Sequence, residues 1–263
     1  MAPDPATRRA TFRRLHESGC FVLPNPWDVG SARYLENLGF PALATTSAGL
    51  AFSLGLPDGG VPREVVLAHL RAMVEATSVP LNADFEAGFA PDPAGVSESV
   101  RLCIETGVSG LSIEDSTGDR AAPLHELPAA VERLAAARAA IDASGTGVVL
   151  TARAECHLVG HPDPLRESLK RLEAYAAAGA DCLYAPGLRT REDVAAVVKA
   201  VAPRPVNVLA SAPGFTVRTL GDLGVRRISV GGALARAAFG AFARAAREIA
   251  AQGTFAALGE AIP

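Results

Sequence analysis

The chain has 263 residues, a formal net charge of -3 and a hydrophobic fraction of 49%. This composition supplies a large apolar core, so it excludes an intrinsically disordered chain. The 25 basic residues form no cluster interleaved with aromatic residues, and we therefore expect no nucleic-acid partner.

No apolar run in the sequence approaches the ~20 residues that a membrane-spanning helix needs. The N-terminal segment MAPDPATRRATFRR also lacks the apolar stretch of a signal peptide. We therefore expect a cytoplasmic protein without a membrane partner. The four cysteines form no C-x-x-C pair, which predicts reduced thiols rather than disulfides.

Short apolar runs alternate with helical patterns along most of the chain. In chain order the apolar runs cover residues 21–25, 42–47, 79–84, 110–115, 147–155, 181–187, 205–210 and 226–232. Segments with helical apolar spacing lie between them at 29–39, 62–77, 92–107, 127–144, 164–179, 190–201 and 216–224. Continuous rather than alternating apolar runs are typical of strands covered on both faces of a parallel sheet.

This alternation predicts an α/β protein with a single (β/α)8 TIM-type barrel domain over residues 1–263. A doubly wound open sheet is the alternative, but no G-x-G-x-x-G follows the first strand. Extra C-terminal helices are expected at about 236–263, where apolar side chains such as Phe239, Phe242 and Ile249 form a stripe. This stripe packs either on its own barrel or on a neighbouring subunit.

His157 and His161 stand four residues apart, which is the spacing of two zinc ligands on one helical face. Gly160 and two following prolines argue against a helix there, and no acid lies between the histidines. We therefore interpret both as loop histidines.

Polar side chains follow the predicted strands at the end where chemistry takes place in such barrels. In chain order they are Thr45, Thr46, Ser47, Asn82, Asp84, Glu86, Glu114, Asp115, Arg153, Glu155 and Asn207. Their oxygen atoms suit a hard cation such as Mg²⁺, with Mn²⁺ as the alternative, better than zinc. The sequence therefore predicts a metal site at this end of the barrel.

The acids differ in their predicted roles. Asp84 and Glu114 end adjacent strands with an alternation that points both into the barrel mouth, and we expect them to contact the metal. Asp115 and Glu86 are interpreted as residues that cap the following helix or turn. Arg153 stands among apolar residues and needs an anion, which is either Glu114 or Glu155 or a substrate carboxylate.

Five segments resemble the isocitrate lyase/phosphoenolpyruvate mutase superfamily in order and spacing. They are TTSAGLAFSLGLPDGG (45–60), NADFEAGF (82–89), SIED (112–115), TARAE (151–155) and VNVLA (206–210). The resemblance implies a Mg²⁺-dependent barrel that forms a homo-oligomer, a dimer or a tetramer. In the tetramers of this superfamily the C-terminal helix is exchanged between subunits, which gives the apolar stripe a destination.

The resemblance also implies roles for individual residues. Asp84 is similar to a metal-binding aspartate, and Asp58 and Glu114 are similar to acids that hold the metal largely through waters. The implied substrate-binding residues are Thr45, Ser47, Ala48, Gly49, Asn82, Arg153 and Asn207.

Three departures separate this chain from the better-known members. Asn82 stands where relatives carry the first acid of an Asp-x-Asp pair. The loop at 116–126, STGDRAAPLHE, lacks the K-[KR]-C-G-H sequence whose cysteine donates a proton in the isocitrate-type lyases. The glutamate that methylisocitrate-type lyases carry on strand six is replaced near YAPG (184–187). The substrate therefore does not follow from the resemblance.

The resulting hypothesis is a Mg²⁺-dependent lyase that cleaves a carbon–carbon bond of a small 2-oxo or 2-hydroxy di- or tricarboxylic acid. Retro-aldol cleavage or decarboxylation would proceed through a metal-stabilised enolate. Arg153 and Glu114 are the expected catalytic residues, with His125 and Arg120 of the loop or water as proton sources. The alternatives are a phosphonate mutase or hydrolase and a non-catalytic protein that binds a 2-oxo acid.

Overall fold

The computed structural model describes residues 3–211 and 213–260. Eight parallel strands form one sheet with the order β1-β8-β7-β6-β5-β4-β3-β2. The strands are β1 (Phe21–Leu23), β2 (Leu43–Ala44), β3 (Leu81–Asp84), β4 (Gly110–Glu114), β5 (Val149–Arg153), β6 (Cys182–Tyr184), β7 (Val206–Leu209) and β8 (Arg227–Ser229). The predicted (β/α)8 barrel is confirmed.

In the described part of the chain, ten α-helices surround the sheet or follow it. They are α1 (Pro5–Leu15), α2 (Val29–Asn37), α3 (Ser47–Ser53), α4 (Arg63–Ala76), α5 (Pro93–Glu105), α6 (Leu127–Ser144), α7 (Pro164–Ala177), α8 (Arg191–Val201), α9 (Val217–Asp222) and α10 (Ala233–Gln252). A 3-10 helix follows at Ala256–Glu260. The large apolar core lies between the strands and the surrounding helices, with Leu111, Leu150 and Leu183 among its fully buried members.

The barrel closes at the junction of its first two strands through one backbone hydrogen bond and the side chain of Asn25. β1 and β2 share no ladder, but Ala44 N–H donates to Pro24 O at 3.0 Å. Asn25 Nδ2 donates to Thr45 O, and Asn25 Oδ1 accepts from the N–H groups of Val230 and Gly231, each at 2.9 Å. One buried amide therefore holds three strand ends together at the mouth.

Helix α1 covers the opposite end of the barrel, and the strand prediction had no signal for it. Phe12 is fully buried and makes edge-on contacts with the rings of His16 and Phe21. A Cβ atom at Gly110 would lie 2.6 Å from the Phe12 ring and 2.7 Å from Asn82 Oδ1. Glycine is therefore required at this point, because the helix plugs the barrel directly beneath it.

The C-terminal helix α10 is largely exposed. Ala235 is the one buried side chain of this helix. Phe242 in the helix is 70% exposed, and Phe255 in the segment that follows the helix is 64% exposed. Phe239 makes an edge-on contact with Phe52 of α3, so only the start of α10 packs on its own barrel. Residues 261–263 of the predicted tail lie outside the described residues. Within the described residues, no helix has the length and apolar character required to span a membrane.

His16 should make the protein sensitive to acid. Its Nδ1 donates to Phe12 O at 2.8 Å, and burial, followed by the charges of Arg227 and Arg13, lowers the pKa of His16 to about 3. The unfolded chain therefore binds this proton more readily, so stability falls as the pH drops from about 6.5 towards 3. The variant His16→Gln should show a smaller slope of unfolding free energy against pH in urea titrations.

The matched control for this measurement is His161→Gln in the loop after β5. It should leave the slope unchanged. An unchanged slope in His16→Gln would show that His16 takes up its proton in the folded protein.

Candidate active site

The interior of the barrel is polar at its upper end, where most barrels of this type carry layers of Val, Ile and Leu. A cavity of about 160 Å³, here called the inner cavity, is lined by residues from each of the eight described strands. They include Asn82, Asp84, Ser112, Arg153, Tyr184, Asn207, Arg227 and Ser229. A second space of about 380 Å³, the outer cavity, lies above it and is lined by Asp58, Glu86, Glu114 and Glu155.

Arg153 lies at the boundary of the two cavities and is surrounded by carboxylates. Its Nη1 is 3.0 Å from Glu114 Oε2 and 3.5 Å from Asp84 Oδ1, and its Nε pairs with Glu155. The guanidinium also lies 5.5 Å from the centre of the Tyr184 ring. The predicted salt bridges of Arg153 are therefore present, to both Glu114 and Glu155.

The charges in this cluster perturb one another. Burial alone would lower the pKa of Arg153, but Glu114, Glu155 and Asp84 together hold it above its ordinary value. Burial raises the pKa of Glu114 and of Glu155, and the neighbouring Arg153 opposes that rise. The acids thus compete for a single arginine.

Asp84 is held in place by two hydrogen bonds, one with Ser47 at the start of α3 and one with Thr45 directly after β2. Ser47 N–H donates to Asp84 Oδ2 at 2.9 Å, and Asp84 N–H donates to Thr45 Oγ1 at 2.9 Å. Thr46 caps α3 by accepting from Gly49 N–H at 3.3 Å, which fixes the direction of the Ser47 amide. The carboxylate is therefore oriented by backbone geometry before any ligand binds.

Glu86, which the sequence analysis placed at the barrel mouth as a cap of the following turn, lies in the acidic cluster. It lines the outer cavity and adopts a φ of 46°, which is rare for a residue with a side chain. Burial, followed by the charges of Asp84 and Asp58, raises the pKa of Glu86 to about 7. The sequence feature that could have identified Glu86 is its position two residues after Asp84 at a strand end, because residues two apart on a strand point to the same side.

Asn82 lies two residues before Asp84 on β3, so both side chains point into the barrel and Asn82 is one layer deeper. Its Oδ1 is buried and has no hydrogen-bond partner among the described residues. The acid-x-acid pair at this strand end is Asp84 and Glu86, with Asn82 beneath it. The interpretation of Asn82 as the residue that stands in place of the first acid of an Asp-x-Asp pair stays a prediction.

Asp115 is not a cap, in contrast to the prediction. It is 3% exposed and accepts hydrogen bonds from Tyr175 Oη at 2.6 Å, Arg171 Nη1 at 3.0 Å and Glu155 N–H at 2.8 Å. The buried ion pair with Arg171 joins α7 to the chain after β4, and the hydrogen bond from Glu155 N–H adds the chain after β5. It therefore supports the strand end from behind and does not line either cavity.

Three residues with predicted roles in catalysis or substrate binding lie away from the cavities. Gly49 packs against Trp27 and Ala235, where an added Cβ would lie 2.8 Å and 3.3 Å from theirs. Arg120 is exposed, and the segment that carries it and His125 is folded into a compact turn by Thr117 and Pro123. The remaining predicted site residues Thr45, Ser47, Ala48, Asp58, Asn82, Asp84, Glu114, Arg153 and Asn207 line one or both cavities.

The donor set fits a hard divalent cation that retains water. Asp58, Asp84, Glu86, Glu114 and Glu155 surround the cavities, and Arg153 supplies the one positive charge paired with them. Among the described residues, no three His, Cys, Asp or Glu side chains converge closely enough to hold a metal alone. Mg²⁺ commonly binds through one or two carboxylates and keeps several waters. The acid-rich lining is therefore consistent with Mg²⁺ even though no three of these side chains converge.

The structure adds two polar residues that the sequence analysis missed. Tyr184 is buried in the inner cavity, and burial raises the pKa of its hydroxyl to about 12. Arg227 is 2% exposed and lies at the base of the same cavity. Both alternate with apolar neighbours on their strands, and that pattern was the available signal.

A family model described as phosphoenolpyruvate phosphomutase matches residues 12–250. The chain is 33% identical over 241 residues to the uncharacterized protein Rv1998c of Mycobacterium tuberculosis, with 91% of this chain and 88% of that protein covered. It is 30% identical over 205 residues to oxaloacetate decarboxylase of Paraburkholderia xenovorans, covering 75% of this chain and 67% of the relative.

Solved structures share the same fold. A crystal structure from Burkholderia cenocepacia J2315, described as a candidate lyase/mutase, matches with a TM-score of 0.94 and 48% identity, over 98% of this chain and 93% of that one. Phosphonopyruvate hydrolase in complex with oxalate and Mg²⁺ matches with a TM-score of 0.85 and 25% identity, over 97% and 91% of the two chains.

Binding of Mg²⁺ at Asp84 should stabilise the protein against heat. A free Mg²⁺ concentration of a hundred times Kd should raise the unfolding temperature by roughly 5 °C, and EDTA should reverse the shift. Asp84→Asn keeps an oxygen that can accept from the Ser47 amide but loses the charge, so it should abolish most of the shift. Differential scanning fluorimetry measures both values.

Asp92→Asn is the matched control, because Asp92 caps α5 on the surface and asparagine is an equally good cap. It should retain the full shift. Equal shifts in the Asp84→Asn variant and the wild-type protein would place the cation elsewhere.

Proposed function

The chain belongs to the isocitrate lyase/phosphoenolpyruvate mutase superfamily, and from this premise we propose that it is a Mg²⁺-dependent carbon–carbon lyase. Its substrate would be a small 2-oxo or 2-hydroxy di- or tricarboxylic acid. The observation that carries the proposal is the cluster in which Arg153 is paired with Asp84, Glu114 and Glu155 at the barrel mouth. In such a cluster the acids can bind a cation and the arginine can bind an anionic ligand.

When bound, Mg²⁺ would supply positive charge where negative charge develops on the substrate oxygen atoms. Asp84 and Glu114, with Asp58 and Glu86 through waters, are the residues that would hold it. Mn²⁺ would suit the same oxygen ligands. Asp84 would direct this charge towards the inner cavity, because the Ser47 amide and the Thr45 hydroxyl fix its orientation.

Arg153 would bind the substrate carboxylate. Its three acidic neighbours hold the guanidinium at the boundary of the cavities, and the Tyr184 ring lies against it. In a decarboxylation, the bond between C3 and the second carboxylate would break, that carboxylate would leave as CO2, and the bonding electron pair would pass to the 2-oxo group as an enolate. In a retro-aldol cleavage, the hydroxyl on the far carbon would lose its proton to solvent, and that fragment would leave as a carbonyl compound while the electron pair passes to the same 2-oxo group. A proton then returns to carbon, and solvent in the outer cavity near Ser116 and Thr117 would supply it.

The size of the inner cavity favours a small substrate. Its volume of about 160 Å³ is below the ~300–1,000 Å³ typical of pockets for drug-sized ligands. The likeness to oxaloacetate decarboxylase supports decarboxylation or another cleavage of a short oxo acid. The likeness to phosphonopyruvate hydrolase keeps phosphorus–carbon cleavage as the second candidate.

The assembly would be a homo-oligomer, a dimer or a tetramer, in which α10 packs on a neighbouring subunit. A helix of 20 residues with one buried side chain gains little from packing on its own barrel. The apolar side chains of Phe242, Ile249, Phe255 and Leu258 are exposed in the single chain. Contact with a second copy would cover them.

A screen of small 2-oxo and 2-hydroxy diacids should reveal Mg²⁺-dependent release of pyruvate or another 2-oxo acid. Asp84→Ala should lower the turnover by about a hundredfold or more, because it removes the oriented metal ligand. Coupled assays with and without EDTA measure this release, and phosphorus NMR on phosphonopyruvate tests the second candidate in parallel.

Asp92→Ala on the surface serves as the control in this assay and should retain full turnover. Turnover that survives in Asp84→Ala, or in the presence of EDTA, would contradict the metal mechanism. Release of phosphate from phosphonopyruvate, without activity on any diacid, would establish the second candidate instead.

The change Phe242→Glu should reduce the mass of the assembly in light scattering. It places a charge on a side chain that is 70% exposed in the single chain and would be buried between subunits. Arg191→Glu on α8 is the control and should leave the mass unchanged. An unchanged mass in Phe242→Glu would place α10 outside the interface.

A further inference from the structure

The base of the inner cavity is formed by a buried arginine that has no acidic partner among residues 3–211 and 213–260. Arg227 is 2% exposed and extends from β8 across the barrel interior to β5. Its Nη2 donates to Thr151 Oγ1 at 3.0 Å and its Nε to Asn207 Oδ1 at 2.9 Å. Its Nη1 lies 3.4 Å from His16 Nε2. All three partners are neutral acceptors.

A guanidinium has five N–H donors, so two of the Arg227 donors have no acceptor among the residues that the structure describes. No carboxylate of the described chain lies within ion-pair distance of it, in contrast to Arg153. A buried charge without a counter-ion is costly. The positive charge of Arg227 at the base of the cavity is therefore not compensated by the described residues.

The titratable groups around Arg227 do not supply that charge. Burial raises the pKa of the Cys182 thiol, so the group is neutral near pH 7. Tyr184 stays protonated because burial raises its pKa to about 12. His16, below the guanidinium, is neutral or positive but never negative. An anion at this position must come from a ligand.

The position of Arg227 suits the far end of a short diacid. Its contact Thr151 lies two residues below Arg153 on β5, which corresponds to roughly 6.6 Å along the strand. A ligand whose first carboxylate is bound by Arg153 would therefore extend down the inner cavity towards Arg227. Arg236 also lines this cavity, but it is exposed at the rim, where water already solvates its charge.

We propose that Arg227 binds a second carboxylate of the ligand and thereby selects short dicarboxylic acids over monocarboxylic acids. This inference rests on the proposed function, because it takes Arg153 and the acidic cluster as the site of the first carboxylate. Asn207 acts as a positioning residue, since its Oδ1 accepts from Arg227 and its Nδ2 donates to Ser229 Oγ at 2.9 Å.

The test compares ligands that differ only in the second carboxylate. Lactate and malate share a 2-hydroxy acid group, and oxalate requires only the upper half of the site. Calorimetric titrations of the full chain with Mg²⁺ in chloride-free buffer should give malate an affinity at least about tenfold above that of lactate. In Arg227→Gln this ratio should fall towards one, while the affinity for oxalate stays within about twofold.

Two further variants complete the comparison. Arg227→Lys keeps the charge without the planar fork, so it should retain part of the malate preference and also serves if the glutamine variant does not fold. Arg226→Gln is the control, because Arg226 donates to Gly19 O outside the cavity, and it should keep the wild-type ratio.

The outcomes separate the two proposals. Equal affinities for malate and lactate in the wild-type protein, or an unchanged ratio in Arg227→Gln, would overturn the role of Arg227. Loss of Mg²⁺-dependent oxalate binding in the wild-type protein would instead overturn the proposed function on which it rests.

Discussion

The pairing of one arginine with three carboxylates is the constraint on which the candidate site depends. Arg153 on β5 contacts Asp84 on β3 and Glu114 on β4, and it pairs with Glu155 just beyond its own strand. Three strand ends are therefore tied to one guanidinium. Because the acids outnumber the arginine, the same cluster that orders the mouth also leaves negative charge to be compensated, and a divalent cation is the natural complement.

Stability and chemistry occupy different layers of this barrel. The fully buried apolar side chains lie between the sheet and its helices, whereas the upper interior carries Asn82, Ser112, Tyr184, Asn207 and Ser229. The lower end is closed by α1, whose Phe12 fills the space that Gly110 leaves open. Because the upper interior is not filled by apolar side chains, it can hold acids at the mouth and a buried arginine at the base. A ligand in the cavity would therefore lie along the barrel axis between these opposite charges.

The relation to the superfamily is strongest in the part of the site that is proposed to bind the metal and the substrate carboxylate. The strand ends that deliver Thr45, Asp84, Glu114 and Arg153 converge as the resemblance implied. The loop at 116–126 differs, and the structure folds it into a turn from which only Ser116, Thr117 and Gly118 line the outer cavity. Neither His125 nor Arg120 lines the outer cavity, which supports the proposal that solvent supplies the proton.

The sequence by itself determined the alternation of strands and helices and the residues that follow each strand. Strand periodicity and strand-end position are local properties, so Asp84, Glu114 and Arg153 could be identified without coordinates. Only the tertiary structure showed that Glu86 joins the acids, that Asp115 pairs with Arg171 behind the strands, and that Gly49 serves packing. These outcomes depend on contacts between residues far apart in the chain. The charge at Arg227 is the clearest case, because the absence of an acidic partner in the part of the chain that the structure describes depends on every strand around the barrel interior and on no single segment.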